Sequence, residues 1–221
     1  DVDAQKFLNK KIDASFWAKV KEKDKAKAKT KKPVDPVKAE ARRKKKIAML
    51  SESALTELTW PEIALSDLNP EQQEAAAYVL KGNNAFITGS AGTGKSFLLR
   101  YVIQELEKLY VEKGSVAITA PTGIAAININ GQTIHSFAGI GLGQADRATL
   151  LAKVLQSSQA EERWKKCKVL IIDEVSMLSY ELFELLEEIA RTVRENDLPF
   201  GGLQVVMVGD FMQLPPVIAK S

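Results

Sequence analysis

The segment Gly89-Ser90-Ala91-Gly92-Thr93-Gly94-Lys95-Ser96 constrains this chain more than any other stretch. It satisfies the pattern G-x-x-x-x-G-K-[ST] in full. A short apolar run, Ala85–Thr88, precedes it. A helical run follows, Ser96–Val111, with Phe97, Leu98, Tyr101, Val102, Leu106 and Leu109 recurring at three and four. Glycines let backbone N–H groups turn inward around phosphates, and the helix start adds positive potential. Lys95 is therefore expected at the β- and γ-phosphates of a nucleoside triphosphate, with Ser96 on Mg²⁺. A strand–loop–helix unit of this kind requires an α/β fold.

The rest of the chain fits that requirement. Asn69-Pro70-Glu71 reads as a helix start, with Asn69 as cap and Pro70 in the first turn, and the helix stops near Gly82. Val116–Ala120, Val169–Ile172 and Val205–Val208 read as buried strands. Tyr180–Arg194 is an amphipathic helix with Leu182, Leu185, Leu186, Ile189 and Val193 on one face. Strands without alternation, separated by helices, predict a parallel sheet covered on both sides.

Three further segments supply chemistry. Val169-Leu170-Ile171-Ile172 runs into Asp173-Glu174. An apolar strand ending in two carboxylates suits the metal side of a phosphate site: Asp173 for Mg²⁺, Glu174 for the attacking water. The pair favours a hydrolase over a small-molecule kinase, which has no use for a water-activating acid. Val208-Gly209-Asp210-Phe211-Met212-Gln213-Leu214-Pro215-Pro216 places an amide, Gln213, after a strand; it reads as a γ-phosphate sensor or as an ordinary proline-stiffened turn. Pro121, Thr122 and Gly123, and then His135, Ser136 and Phe137, follow the second strand. They fall on the rim where open α/β sheets bind ligands. Hydroxyls, backbone N–H groups, an imidazole and a ring suit the phosphates and bases of a single strand. His135, the sole histidine, also reads as a packed or surface residue.

Charge is unevenly distributed. Residues 1–50 carry 17 Lys/Arg and 7 Asp/Glu, so the net +3 of the whole chain hides +10 in the leader and −7 beyond it. Lys21–Lys32 has too few apolar residues to build a core and reads as disordered or as a solvated helix. The cluster Arg42-Arg43-Lys44-Lys45-Lys46 reads as a nuclear-import signal, a phosphate contact or a solvated helix face. A leader over 1–65 and a domain over 66–221 are expected. No apolar run reaches the ~18 residues of a membrane span. The one cysteine, Cys167, cannot form an internal disulfide and reads as a small buried hydrophobe. The sequence starts at Asp1 and stops just after a Pro-Pro pair, so a piece of a longer protein is expected.

Taken in order, GSAGTGKS, APTGIAAININGQTIHSF, IIDEVSML and GDFMQLPPV resemble the petite integration frequency (PIF) family of superfamily-one DNA helicases. Tyr180–Arg194 with Asn196-Asp197-Leu198-Pro199-Phe200-Gly201-Gly202 resembles that family's own signature segment. The resemblance covers about residues 66–217. It implies a P-loop NTPase of RecA-like fold and an ATP- and Mg²⁺-dependent 5′-to-3′ DNA helicase. It further implies action on single-stranded DNA, forks and G-quadruplexes, in DNA repair, recombination and telomere or mitochondrial DNA maintenance. Residue by residue, it implies Gln72 on the adenine and Lys95 and Ser96 on phosphate and Mg²⁺. Asp173 and Glu174 become the metal and water acids, Gln213 the γ-phosphate sensor, and Pro121, Thr122, His135 and Phe137 parts of segments touching DNA. It implies a nuclear or mitochondrial setting in a eukaryote and a cytoplasmic one otherwise. A second RecA-like domain, carrying an arginine finger, is expected beyond Ser221; without it hydrolysis falls by about 10³–10⁵. The competing readings are a RecD-like or transposon-encoded helicase, and a nucleic-acid-binding module with a vestigial ATPase. Intact Lys95, Asp173 and Glu174 speak against the latter.

Overall fold

Residues 60–90 and 92–210 are described in a computed structural model. Residues 1–59 of the leader, with the Arg42–Lys46 cluster, and also Ala91 and Gln213 lie outside the described residues. Five strands form one sheet: β1 (Ala85–Ile87), β2 (Val116–Ala120), β3 (Gln132–Thr133), β4 (Val169–Ile172) and β5 (Gln204–Val208). Their order is β1-β5-β4-β2-β3, and every pairing is parallel. The carboxyl ends of all five therefore share one rim.

Among the described residues seven helices cover the two faces: α1 (Pro70–Leu80), α2 (Lys95–Leu109), α3 (Gly123–Asn128), α4 (Ile134–Ala138), α5 (Arg147–Leu155), α6 (Ser158–Lys166) and α7 (Tyr180–Arg194). Strand alternation splits the core in two. Val169, Ile171, Val206 and Val208 pack with α1, α2 and α3. Leu170, Ile172 and Val205 pack with α4, α5, α6 and α7. All four β4 side chains are buried, as the unalternating apolar run predicts. Each fully buried aliphatic side chain contributes about 1.5–3 kcal/mol.

Local signals set the element ends. Asn69 Oδ1 accepts from Gln72 N at 2.8 Å while Gln72 Oε1 accepts from Asn69 N at 3.0 Å, a reciprocal capping box ahead of α1. Gly94, at φ +83°, turns the phosphate loop into α2, a conformation that costs glycine little. On α7, Leu185, Leu186, Ile189, Ala190 and Val193 face the core. Arg194, at its end, donates to the carbonyls of Trp164, Cys167 and Gly201 within 2.9 Å. The signature-like segment thus clamps α6, β4 and the turn at Pro199–Gly202 together.

Two regions differ from the sequence reading. Within the described residues, Trp60 and Ile63 pack with the α1–α2 side of the core, in a stretch that the sequence reading gives to the leader. Arg100 lies over the Trp60 ring at 4.9 Å, Gln104 exchanges two 3.0 Å hydrogen bonds with the Ile63 backbone, and Lys108 pairs with Glu62 at 2.9 Å. These three side chains stand one helical turn apart on α2, a stripe no hydropathy period reveals. Helices α5 and α6 are the second difference, since 138–168 carries no clear helical period. α6 is almost wholly polar, and only Ala160 and Trp164 of it are buried.

Candidate functional site

The rim assembles the chemistry strand by strand. β1 delivers the phosphate loop. Thr93 Oγ1 donates to Ser90 O at 2.9 Å and stiffens the loop's tip. Lys95 Nζ donates to Gly89 O at 2.5 Å and to Ser90 O at 2.8 Å, so the ammonium is folded onto the loop's own carbonyls. Ser90 and Ser96 are exposed. Gln72 reaches the loop from α1, with Nε2 donating to Thr93 O at 3.5 Å. Gly94 sits at φ +83°, which favours glycine; a Cβ there would lie 2.6 Å from the movable Gln72 Nε2. A cleft of about 860 Å³ opens between α1 and the end of β1, bounded by Gln72, Tyr78, Thr88, Gly89 and Lys95.

Two strands away, β4 delivers the acids. Asp173 N donates to Thr119 O at 2.9 Å, extending the β2–β4 ladder by one step to the rim. Burial pushes the Asp173 carboxyl above its usual range. The Glu174 backbone N–H lowers it in part, the Glu174 charge raises it further, and the nearby Lys95 ammonium lowers it. Glu174 has φ +51°, left-handed for a non-glycine residue, at a cost on the order of 1 kcal/mol. That turn ends the strand and starts the 3-10 turn Val175–Met177. β5, between the two, ends at Val208 and is followed by Gly209, whose N donates to Ile87 O at 3.1 Å. A Cβ on Gly209 would stand 3.0 Å from Val175 Cγ1 and 3.2 Å from Val175 N, so glycine lets the β5 end seat against the Glu174 turn. Asp210, buried beside it, was not singled out from sequence.

The β2 and β3 ends carry the remaining candidates. Thr122 caps α3, its Oγ1 accepting from Ala125 N at 3.3 Å. Thr133 caps α4 in the same way, accepting from Ser136 N at 3.2 Å. Pro121 and Thr122 are half-buried, and Gly123 and Ser136 are exposed. His135 is half-buried, and burial lowers its basicity, favouring the neutral ring. Phe137 requires a correction. Its side chain is 2% exposed and its ring centre lies 4.7 Å from that of Trp164, in the core beneath α4. A ring so enclosed cannot stack on a base; its place in the sequence motif reflects packing.

The donor set also suits a hydrated Mg²⁺. A serine hydroxyl and a carboxylate are hard oxygen ligands, and this ion commonly keeps several waters and the nucleotide's phosphates as partners. A cation beside Asp173 would offset the cost of its buried charge. Among the described residues no group of three or more His, Cys, Asp or Glu forms a dedicated all-protein cage.

A phosphate loop on β1 and an acid pair at the end of β4, on one rim of an all-parallel sheet, define a P-loop nucleotide-binding domain of RecA-like build. The chain belongs to the PIF1-like helicase family, whose model matches residues 67–221. It is 55% identical over 142 residues to the ATP-dependent DNA helicase PIF1 of Emericella nidulans, across 64% of this chain and 19% of that protein. It is 48% identical over 154 residues to the human ATP-dependent DNA helicase PIF1, across 70% of this chain and 23% of that one. A crystal structure of Pif1 helicase from Candida albicans matches with a TM-score of 0.65 and 51% identity, over 68% of this chain and 34% of the other. A Bacteroides Pif1 helicase in complex with ADP-AlF3 and ssDNA matches with a TM-score of 0.58 and 39% identity, over 69% and 34%. The chain thus spans about a fifth of the length of these curated relatives.

Proposed function

We propose that this chain forms the first motor domain of an ATP-dependent 5′-to-3′ DNA helicase. The observation that carries the reading is the placement of Lys95 and the Asp173–Glu174 pair on one rim, close enough for the Lys95 charge to act on Asp173. ATP enters the cleft beside α1, with Gln72 at the base side. The phosphates draw Lys95 off the Gly89 and Ser90 carbonyls, exchanging two neutral acceptors for charged ones. Gly92, Thr93 and Gly94 present backbone N–H groups to the phosphates, together with Gly89, Ser90 and Ala91 of the same loop. Ser96 and Asp173 would hold Mg²⁺, which would supply positive charge beside the phosphates. Glu174 orients and deprotonates the attacking water.

Single-stranded DNA follows the same rim at Pro121, Thr122, Gly123, His135 and Ser136, continuous with the nucleotide site through β2 and β4. A second RecA-like domain closes the cleft, supplies an arginine finger and makes the rim move; this chain alone hydrolyses ATP slowly. Gln213 senses the γ-phosphate. The +10 leader tethers DNA without sequence preference. Forks and G-quadruplexes are the proposed substrates, in DNA repair, recombination and telomere or mitochondrial DNA maintenance, within a nucleus or mitochondrion. The crystallised Bacteroides relative in complex with ADP-AlF3 and ssDNA supports both ligands.

The test is ATP hydrolysis by the full-length protein with and without single-stranded DNA. Strong stimulation that vanishes in Lys95→Ala is expected. Hydrolysis indifferent to DNA would overturn the motor reading while leaving the phosphate site intact.

A further inference from the structure

A second cavity, of about 540 Å³, opens on the same rim beyond the DNA-facing turn. Pro121 and Thr122 form one lip. The floor is apolar, made by Leu150, Leu178, Leu182 and Leu185. One wall is the His135 imidazole with Gly143 laid against it. A Cβ on Gly143 would stand 3.2 Å from His135 Cδ2 and Nε2, and Gly143 sits at φ +68°. Glycine therefore keeps this wall thin and the ring edge in reach.

The opposite wall is acidic. Glu184 is held by Arg147 at 3.2 Å and by the Tyr180 hydroxyl at 2.6 Å, and Arg147 is further committed to Glu188. Glu181 lines the mouth and, among the described residues, has no ion-pair partner. His135 is held towards its neutral form by burial. The cavity therefore offers no uncommitted cation. A phosphate would be repelled there, whereas a flat neutral group with N–H donors on its edge would be welcome. Pockets of this size, apolar with a few convergent polar groups, accept small planar ligands.

We infer that this cavity receives one nucleobase of the bound single strand, turned out of the base stack while its phosphates stay at Pro121–Gly123. The inference rests on the DNA-motor reading above. The leucine floor and the His135 ring hold the faces of the base, and the Glu181 carboxylate accepts from its imino or amino N–H. Such a pocket fixes the register of the strand on this domain, so each motor step moves the strand by whole nucleotides past one seated base.

The experiment scans a 16-nucleotide oligonucleotide in which one position at a time lacks its base. Binding to the full-length protein is measured with a non-hydrolysable ATP analogue present. Loss of about tenfold in affinity is expected at one register position, the scale of a lost base contact, with small losses elsewhere. Ala145→Trp supplies the second arm, since Ala145 is exposed and lines the cavity. Its indole fills the mouth, so the single sensitive position is expected to disappear while the remaining positions still bind. A flat scan on a protein that binds the intact oligonucleotide would overturn the pocket and leave the motor reading standing. A sensitive position that survives Ala145→Trp would place the seated base elsewhere and also overturn the pocket. Absence of any binding to the intact oligonucleotide would overturn the motor reading and the pocket with it.

Discussion

The β1–β5–β4 half of the rim and the β2–β3 half solve different problems. On the nucleotide half, function lies in backbone geometry. Gly94 takes a left-handed backbone at φ +83°, Gly209 seats against Val175, and Glu174 accepts a left-handed backbone to end β4. On the half proposed for DNA, local structure and packing engage much of the motif segments. Thr122 and Thr133 are helix caps, and Phe137 is core. A strand of DNA can be gripped by many combinations of hydroxyl, amide and ring, so residue identity there is set as much by packing as by contact.

The comparison can be broken at several points. The largest effect is expected from Glu174→Gln, which should lower kcat by about 10²–10⁴-fold with little change in single-stranded DNA affinity, measured by steady-state hydrolysis and fluorescence anisotropy. An equal loss of DNA binding would erase the division between the halves. On the other half, Phe137→Ala and Trp164→Ala should each cost about 3–5 kcal/mol in denaturant unfolding. DNA affinity per folded molecule should hold in Phe137→Ala; a selective loss of DNA binding at unchanged stability would restore Phe137 as a contact. Thr122→Ala removes a cap, at about 1 kcal/mol, and should weaken DNA binding several-fold without changing nucleotide affinity.

The smallest effect sharpens the electrostatics of the nucleotide half. Asp173 has a carboxyl pKa raised above its unfolded value, chiefly by burial. Its charged form is therefore destabilising in the nucleotide-free fold at pH above both values, and that cost is relieved as pH falls through the raised one. Asp173→Asn should accordingly raise the Tm of the nucleotide-free protein slightly at neutral pH while abolishing Mg²⁺-dependent hydrolysis. A fall in Tm would show that the charge is already compensated.

How much of this was legible in the sequence follows the same division. β2, β4 and α7 lie where their apolar runs place them, and α1 starts at the Asn69–Pro70 signal. Each has either a continuous buried run or a strong period. α6 was not legible because only Ala160 and Trp164 of its nine residues are buried, and β3 is two residues long. The short helices α3 and α4 did leave a signal, a threonine three residues ahead of the amide it caps. The strap at Trp60–Ile63 left none, because Arg100, Gln104 and Lys108 look like an ordinary solvated stripe until the chain they grip is in place. At the site, the phosphate loop and acid pair were readable because their chemistry leaves few alternatives. Gly209 and the buried Asp210 were not, since their roles depend on neighbours from other strands.

Strand displacement by the full-length protein on duplexes with either a 5′ or a 3′ single-stranded tail, with ATP and Mg²⁺, tests the 5′-to-3′ motor most directly. Unwinding of the 5′-tailed duplex alone, lost in Lys95→Ala, is expected. Unwinding only from a 3′ tail, or unwinding that survives Lys95→Ala, would contradict it.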